Sequence, residues 1–231
     1  MLLALDTATA TASIAIYDLA EQQLLAELTW QARRRQTQDL LTIAQQWLAQ
    51  LDLTAQDLTA LAVTTGPGSF TGVRIAISAV KGIGLGLSTA PQVIGLPTLC
   101  VTAAPWLLLA QRAKPTPTLC AFIQAGRGRY NWTFFAAGDL LHHPTAADHS
   151  GGTADEFAQA LAALAPQSIW LTGELDAPLE KAMQSLTHVF VLDRVSSTRR
   201  AGQLARLAAF HLAYGNRDDL QTLQPLYLRN P

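Results

Sequence analysis

Apolar and polar positions along this chain alternate with two different periods, and the switches between them mark its elements. Leu2 to Asp6 is an apolar run closed by an acid, and Thr11 to Tyr17 alternates. Together they predict two paired strands joined by the turn Thr7-Ala-Thr-Ala. Gln23 to Trp30 adds a third strand, completing a meander. After Arg33-Arg34-Arg35 the period becomes helical: Leu40, Ala44, Trp47 and Leu51 form one stripe, flanked by Leu41, Ile43 and Leu48, opposite Gln38, Thr42, Gln45, Gln46 and Gln50. Thr37 is read as the N-cap, with Asp39 in the first turn. Thr54-Ala-Gln-Asp57 has capping-box spacing and predicts a helical turn before a strand at Ala60 to Thr65.

The next stretch organises the rest. An apolar strand runs into Gly66-Pro-Gly-Ser-Phe-Thr-Gly72, and a helix pattern from Arg74 to Leu87 runs out. Strand, glycine turn, helix leaves helical N–H groups facing the loop, so Gly66, Gly68 and Ser69 are candidates for holding an anion. The plainer reading is a turn with a helix cap. In the helix, Ala76, Ala79, Gly82, Gly84 and Gly86 are small, while Ile75, Ile77, Val80, Ile83 and Leu85 surround it with bulk. Glycine costs a helix roughly 1 kcal/mol against alanine, so three within five residues call for a packing reason. A helix apolar all round is covered all round, by its own core or by a partner.

Ile94 to Val101 reads as strand and turn limited by Pro97, followed by a helix around Ala104 to Ala113. Lys114-Pro-Thr-Pro-Thr118 marks a lobe boundary, giving a first lobe over 1–113 and a second over 114–231, with the C-terminal helix and tail able to return to the first. Leu119 to Gln124 and Tyr130 to Ala136 predict a hairpin around Ala125-Gly-Arg-Gly-Arg129. Helices follow at Asp155 to Leu164, Leu175 to Leu186 and Gln203 to Tyr214, with strands at Ser168 to Thr172 and Val189 to Leu192. This alternation makes the chain α/β, two lobes of mixed sheet flanked by helices.

Three common site motifs are excluded around the glycine loop. No lysine follows Gly72, as a Walker loop needs; five residues after Gly66 stands Thr71. The third glycine comes one position late for a dinucleotide fingerprint, and no acid occurs between Asp57 and Asp139 to hold a ribose. Ser69 is flanked two residues away by Pro67 and Thr71, so it is no hydrolase elbow.

Composition narrows the class. With 231 residues, 49% hydrophobic and 14% charged, the chain can bury a real core, and the sparse charge hints at apolar surface covered by another subunit. Cys100 and Cys120 read as buried free thiols of a reducing compartment. The apolar N-terminus lacks a basic flank and contains Asp6, which speaks against a leader, and no run suits a membrane span. A net charge of −1 argues against a dedicated nucleic-acid binder. The middle of the chain, 58–138, nevertheless carries six bases and no acid: Arg74, Lys81, Arg112, Lys114, Arg127 and Arg129. The favoured expectation is that acids from the flanking thirds fold against it. None of the five histidines has i, i+4 zinc spacing. A metal site from His142, His143 and His149 is less favoured than a solvated loop, because ligands also need outer-shell partners.

Gly66-Pro-Gly-Ser-Phe-Thr-Gly-Val-Arg-Ile75, with Ala79-Val-Lys-Gly82, resembles the signature of the TsaB (YeaZ) family; Leu5-Asp-Thr-Ala-Thr9 and Pro225-Leu-Tyr-Leu-Arg229 fit the same family in order. The resemblance implies an actin/Hsp70-like (ASKHA) fold of two lobes. It implies a cytoplasmic, non-catalytic subunit that binds and activates a TsaD-type threonylcarbamoyltransferase, helped by a TsaE-type ATPase, in forming threonylcarbamoyladenosine at position 37 of tRNA. Homodimerisation when isolated, and contact with tRNA only through the complex, are implied likewise. The expected partner face comprises Leu40, Leu41, Ala44, Trp47 and Leu48 on the first helix with Thr71, Arg74, Ile75, Ala76, Ala79, Val80 and Ile83 on the second.

In the ATPases this family resembles, a hairpin such as 2–17 grips phosphate. Asp6, Thr7 and Thr9, with Gly66, Gly68 and Ser69, are the positions where a nucleotide would sit. Family members carry an acid in the second-lobe hairpin where this chain has Gln124-Ala125-Gly126, and many carry a histidine where it has Gln36-Thr37. Losing the acid removes a metal ligand, so no cofactor of its own is expected, ATP or ADP being placed only at the joint with the partner. TsaD-type subunits use a His-x-x-x-His pair plus aspartate, which is absent here. The alternatives are a nucleotide-binding enzyme of the same fold class and a metallopeptidase-like protein, for which no ligand set is found.

Overall fold

The computed structural model describes residues 1–32 and 35–228, without the side chain of Thr37. Arg33, Arg34 and Arg229, singled out above, lie outside the described residues. Two compact units result. The first comprises Met1–Thr98 with Arg200–Leu226; the second comprises Leu99–Arg199 with Tyr227 onward.

The first unit is built on β1 (Leu2–Asp6), β2 (Thr11–Asp18), β3 (Gln23–Gln31), β4 (Ala60–Gly66) and β5 (Gln92–Pro97), ordered β3-β2-β1-β4-β5. The expected meander is present, and β4 and β5 join in parallel beside β1. β1 and β4 are buried along their whole length, because helices cover both faces of the sheet. α1 (Gln36–Gln50) and α2 (Phe70–Gly86) lie on one face, where Leu3, Leu5, Leu61 and Val63 meet Leu40, Ala44, Leu48, Val73, Ala76 and Val80. α6 (Ala201–Ala213) packs on the same sheet and buries Leu204, Ala205, Leu207 and Ala208. Its first N–H is capped across the fold by the Ser13 hydroxyl, 2.8 Å away. The segment after α6 then crosses the same lobe. Asp218 accepts from Gly95 N–H at 2.7 Å, Lys81 Nζ donates to the Gln221 carbonyl at 2.8 Å, and Leu226 N–H donates to the Thr65 carbonyl at 2.8 Å.

The second unit repeats the strand plan. β6 (Thr118–Gly126), β7 (Arg129–Phe135), β8 (Ser150–Thr153), β9 (Ile169–Gly173) and β10 (Val189–Val191) are ordered β10-β9-β6-β7-β8. Three antiparallel strands again flank two parallel ones. Its core is Phe122, Tyr130, Trp132, Phe157, Leu161 and Leu171, with Phe157 of α4 (Ala154–Ala162) stacked on Trp132 at 4.4 Å. The Tyr130 hydroxyl donates to Asp176 at 2.6 Å, and the same carboxylate caps α5 (Ala177–Ala182).

Several boundaries differ from expectation. α1 begins at Gln36 with Arg35 at the cap position, so Thr37 lies inside the first turn. α3 (Thr98–Arg112) starts six residues before Ala104 and carries Pro105 inside it. The preceding Thr98-Leu-Cys-Val101 is already helical. α5 is shorter than Leu175 to Leu186, and β8 was not foreseen, since Ser150-Gly-Gly-Thr153 has no apolar alternation. The units divide at Thr98 rather than at Lys114. α3 belongs with the second unit: Gly138 N–H donates to the Leu107 carbonyl, and the Cys100 thiol faces the His142 carbonyl at 3.4 Å.

Candidate functional site

The glycine loop folds onto the turn between β1 and β2. Asp6 ends β1 with its carboxylate turned inward, accepting from Ala8 N–H at 2.9 Å and from the Thr64 hydroxyl at 2.8 Å. Thr7 is wholly buried and donates from Oγ1 to the Gly72 carbonyl at 2.6 Å; Thr9 is also buried. Ser69 N–H donates to the Ala8 carbonyl at 2.6 Å, and the Ser69 hydroxyl accepts from Gly72 N–H, capping α2. A methyl added at Gly68 would collide with the Ala8 carbonyl, and one at Gly72 with the Thr7 carbonyl. Close backbone approach is therefore what those two glycines permit. Asp6, Thr7, Thr9, Gly66, Gly68 and Ser69 are thus gathered into one cluster. Within it, the Ala8 and Thr7 carbonyls lie against Gly68 and Gly72.

Beside this cluster, α1 and α2 leave a groove of about 530 Å3 lined by Gln36, Leu40, Leu41, Phe70, Thr71, Arg74, Ile75, Ser78 and Ala79. Phe70 is 61% exposed and Leu41 43% exposed. The Arg74 guanidinium lies 3.7 Å above the Phe70 ring, a cation–π contact that fixes both side chains at the rim. Further along α2, a methyl added at Gly82 or Gly86 would meet open space, and Leu85 is 77% exposed. Gly84 differs: an added methyl there would press on the Leu220 side chain at 2.7 Å. Of the three glycines, only Gly84 has its packing reason inside the lobe.

The expected partner face divides in two. Leu40, Ala44, Leu48, Ala76 and Val80 are buried in the first lobe's own core and are not available to a partner, apart from the edge of Leu40 that lines the groove. Leu41, Thr71 and Arg74 are exposed, while Trp47, Ile75, Ala79 and Ile83 are half-buried. Periodicity could not make this division, because both helices carry more apolar residues than one sheet face can cover. Gln36, Phe70 and Ser78 line the groove without having been foreseen as interface residues. An aromatic at the first position of a helix that follows a glycine loop was the available signal.

Elsewhere the described residues contain no group of three metal-ligating side chains. The His149 Nδ1 contacts the Thr145 carbonyl at 2.8 Å, and burial lowers its pKa. Burial pushes the Cys100 and Cys120 thiols well up. Gln124, standing where an acid was expected, donates from Nε2 to the Glu174 carbonyl at 3.1 Å. Two bases of the acid-free middle have an acid of the last third nearby: Lys81 helps lower the Asp219 carboxyl and Arg129 the Glu156 carboxyl. The ion pairs Arg35–Asp39 and Arg194–Glu180 lie in the flanking thirds. No described helix is long and apolar enough to cross a membrane.

Comparison with known proteins agrees with the fold. The family model described as TsaD: tRNA N6-adenosine threonylcarbamoyltransferase matches residues 29–209. The tRNA threonylcarbamoyladenosine biosynthesis protein TsaB of Escherichia coli K12 is 35% identical over 131 residues, covering 57% of this chain and 53% of that protein. The chain thus spans about half the length of the curated relatives it matches. YeaZ from Pseudomonas aeruginosa superposes with a TM-score of 0.76 at 25% identity, covering 98% of this chain and 99% of that one. An inorganic polyphosphate/ATP-glucomannokinase from an Arthrobacter species, at TM-score 0.52 and 12% identity, covers 93% and 99% and speaks for the fold alone.

Proposed function

Because this chain belongs to the family described as TsaD: tRNA N6-adenosine threonylcarbamoyltransferase, among its TsaB (YeaZ) members with their actin-like fold, we propose that it is a non-catalytic subunit that binds and activates a TsaD-type partner in making threonylcarbamoyladenosine on tRNA. The observation that carries this reading is the exposed apolar groove between α1 and α2 beside a self-filled glycine turn. Exposed Phe70, Leu41 and Leu85 with open small-residue positions at Gly82 and Gly86 suit a helix of another subunit approaching closely. The occupant is a TsaD-type subunit in the complex and a second copy of this chain when it is alone.

Activation follows from differential binding: a surface that fits one conformation of the partner better raises that conformation's population. Asp6, Thr7 and Thr9 then serve as the buried backing of the α2 N-terminus, which presents Phe70, Thr71 and Arg74. ATP or ADP belongs at the joint with the partner, where Gly66, Gly68 and Ser69 could form one wall. A TsaE-type ATPase joins through the assembled complex, in the cytoplasm, where tRNA is modified. The test is copurification with a TsaD-type subunit. Ala79→Arg, placed at the groove, should abolish it while leaving the circular dichroism spectrum intact. Unchanged copurification by a folded variant overturns the reading.

A further inference from the structure

We propose that a second, basic cavity, at the tip of the β6–β7 hairpin, binds phosphates of an RNA strand. The site arises from strand alternation. Tyr130 and Trp132 turn into the second lobe's core, so Arg129 and Asn131 project from the opposite face of β7. β8 pairs with that stretch, setting Gly151 across from Asn131 and Ser150 across from Trp132. The hairpin turn adds Arg127, in left-handed backbone at φ 52° between Gly126 and Gly128. The result is a cavity of about 700 Å3 whose lining includes Arg127, Arg129, Asn131, His149, Ser150 and Gly151.

Its chemistry is one-sided. No carboxylate lines it, and among the described residues neither Arg127 nor Arg129 is in an ion pair, although Glu156 lies near enough to Arg129 for the guanidinium to help lower its carboxyl. The nearest acid on the His149 side, Asp148, is engaged by the Thr145 N–H and hydroxyl, each at 2.8 Å. Gly151 leaves the floor open, since a side chain there would press on the Asn131 carboxamide at 2.9 Å. Two guanidiniums, a carboxamide and a hydroxyl are donors for phosphate oxygens. No phenylalanine, tyrosine or tryptophan lines the cavity, where His149 is the one aromatic ring, so phosphate-directed donors dominate and favour the sugar–phosphate chain over a free nucleotide. The choice of RNA rests on the tRNA-modification reading above; the cavity's preference for phosphate does not.

The experiment is a fluorescence-anisotropy titration of the full chain with a labelled tRNA anticodon stem-loop across several salt concentrations, with parallel titrations of ATP and inorganic phosphate. The wild-type chain should bind the RNA. Arg127→Gln and Arg129→Gln should each make the log–log salt slope shallower by about 0.7, and the double variant should bind about tenfold more weakly. Ser150→Asp, which adds a carboxylate and removes no base, should weaken binding likewise, whereas Arg112→Gln should not. Three results overturn the proposal: no RNA binding by the wild-type chain, a double variant unchanged in affinity and slope, or ATP or inorganic phosphate bound through these arginines while RNA is not. Copurification with a TsaD-type subunit is read separately. A chain that keeps its partner but fails to bind RNA sinks this proposal alone; one that binds RNA but ignores the partner sinks only the reading of the groove.

Discussion

Thr7 and Gly72 are locked to each other twice: the Thr7 hydroxyl donates to the Gly72 carbonyl at 2.6 Å, and the Gly72 α-carbon sits against the Thr7 carbonyl, where a side chain would collide. Residues 65 positions apart are thereby held in van der Waals contact, and the hairpin turn becomes part of the foundation of α2.

Gly72→Ala should lower stability by about 1–3 kcal/mol, the range for overfilling a packed site. Thr7→Val, which keeps the shape and removes the hydroxyl's bond to the Gly72 carbonyl, should lose about 0.5–1.5 kcal/mol. Urea denaturation of both variants checks this. Wild-type midpoints would show that the turn and loop are not coupled.

Phe70 and Leu40 separate binding from folding. Phe70→Ala removes an exposed ring and should leave the unfolding midpoint within about 0.5 kcal/mol of wild type. It should also weaken the TsaD-type partner by about 2 kcal/mol or more, as central aromatic anchors do. Leu40→Ala empties a buried position and should lose about 2–5 kcal/mol of stability. Calorimetric titration beside denaturant unfolding reads both. The reverse pattern would place the interface elsewhere.

Acid should weaken the fold through its caps. Thr54 N–H and then the Thr54 hydroxyl hold the Asp57 carboxyl below its ordinary range; the Thr145 hydroxyl and then N–H do the same for Asp148, and Thr153 N–H for Glu156. Each group therefore binds its proton more tightly unfolded than folded. The stability it contributes is complete above the ordinary carboxylate range and is lost as pH falls through the lowered values. Asp57→Asn should be less stable than wild type at about pH 7, and the gap should close by about pH 3. A gap that does not change with pH would assign the effect to packing.

The two thiols should be silent in the native chain. Cys100 and Cys120 are buried with raised pKa values, and the thiolate is the reactive form. A disulfide reagent should modify neither at neutral pH and both in denaturant. Fast labelling of the folded chain would show that one of them opens to solvent.

Much of this was written into the chain locally. The meander, the glycine loop and the long helix after it follow from alternation and turn chemistry, since the residues deciding them are neighbours in sequence. Features that depended on packing were not legible. α2 is apolar around its circumference, so its pattern could not tell Ala76 and Val80, which face the core, from Ala79 and Ile83, which reach the surface. Pro105 sits well inside α3, which starts at Thr98 where a strand and turn were expected. β8 owes its strand to β7 rather than to its own Ser150-Gly-Gly-Thr153, so the face that brings Ser150 and Gly151 beside Arg129 was invisible. The grouping of Asp6, Thr7 and Thr9 as nucleotide positions was an expectation from resemblance. Only coordinates could show that the Thr7 and Ala8 carbonyls pack against Gly72 and Gly68.

The first lobe's completion by residues 200–226 has a consequence for biosynthesis. As the polypeptide leaves the ribosome, β1 to β5 emerge long before α6 and the crossing segment that finish their sheet. Domains ordinarily fold in order as they are made, but here the first lobe must wait, with an oily flank uncovered, until residues 200–226 have followed the second lobe out. Translation pauses or premature stops beyond α5 should therefore strand nascent chains that chaperones must hold.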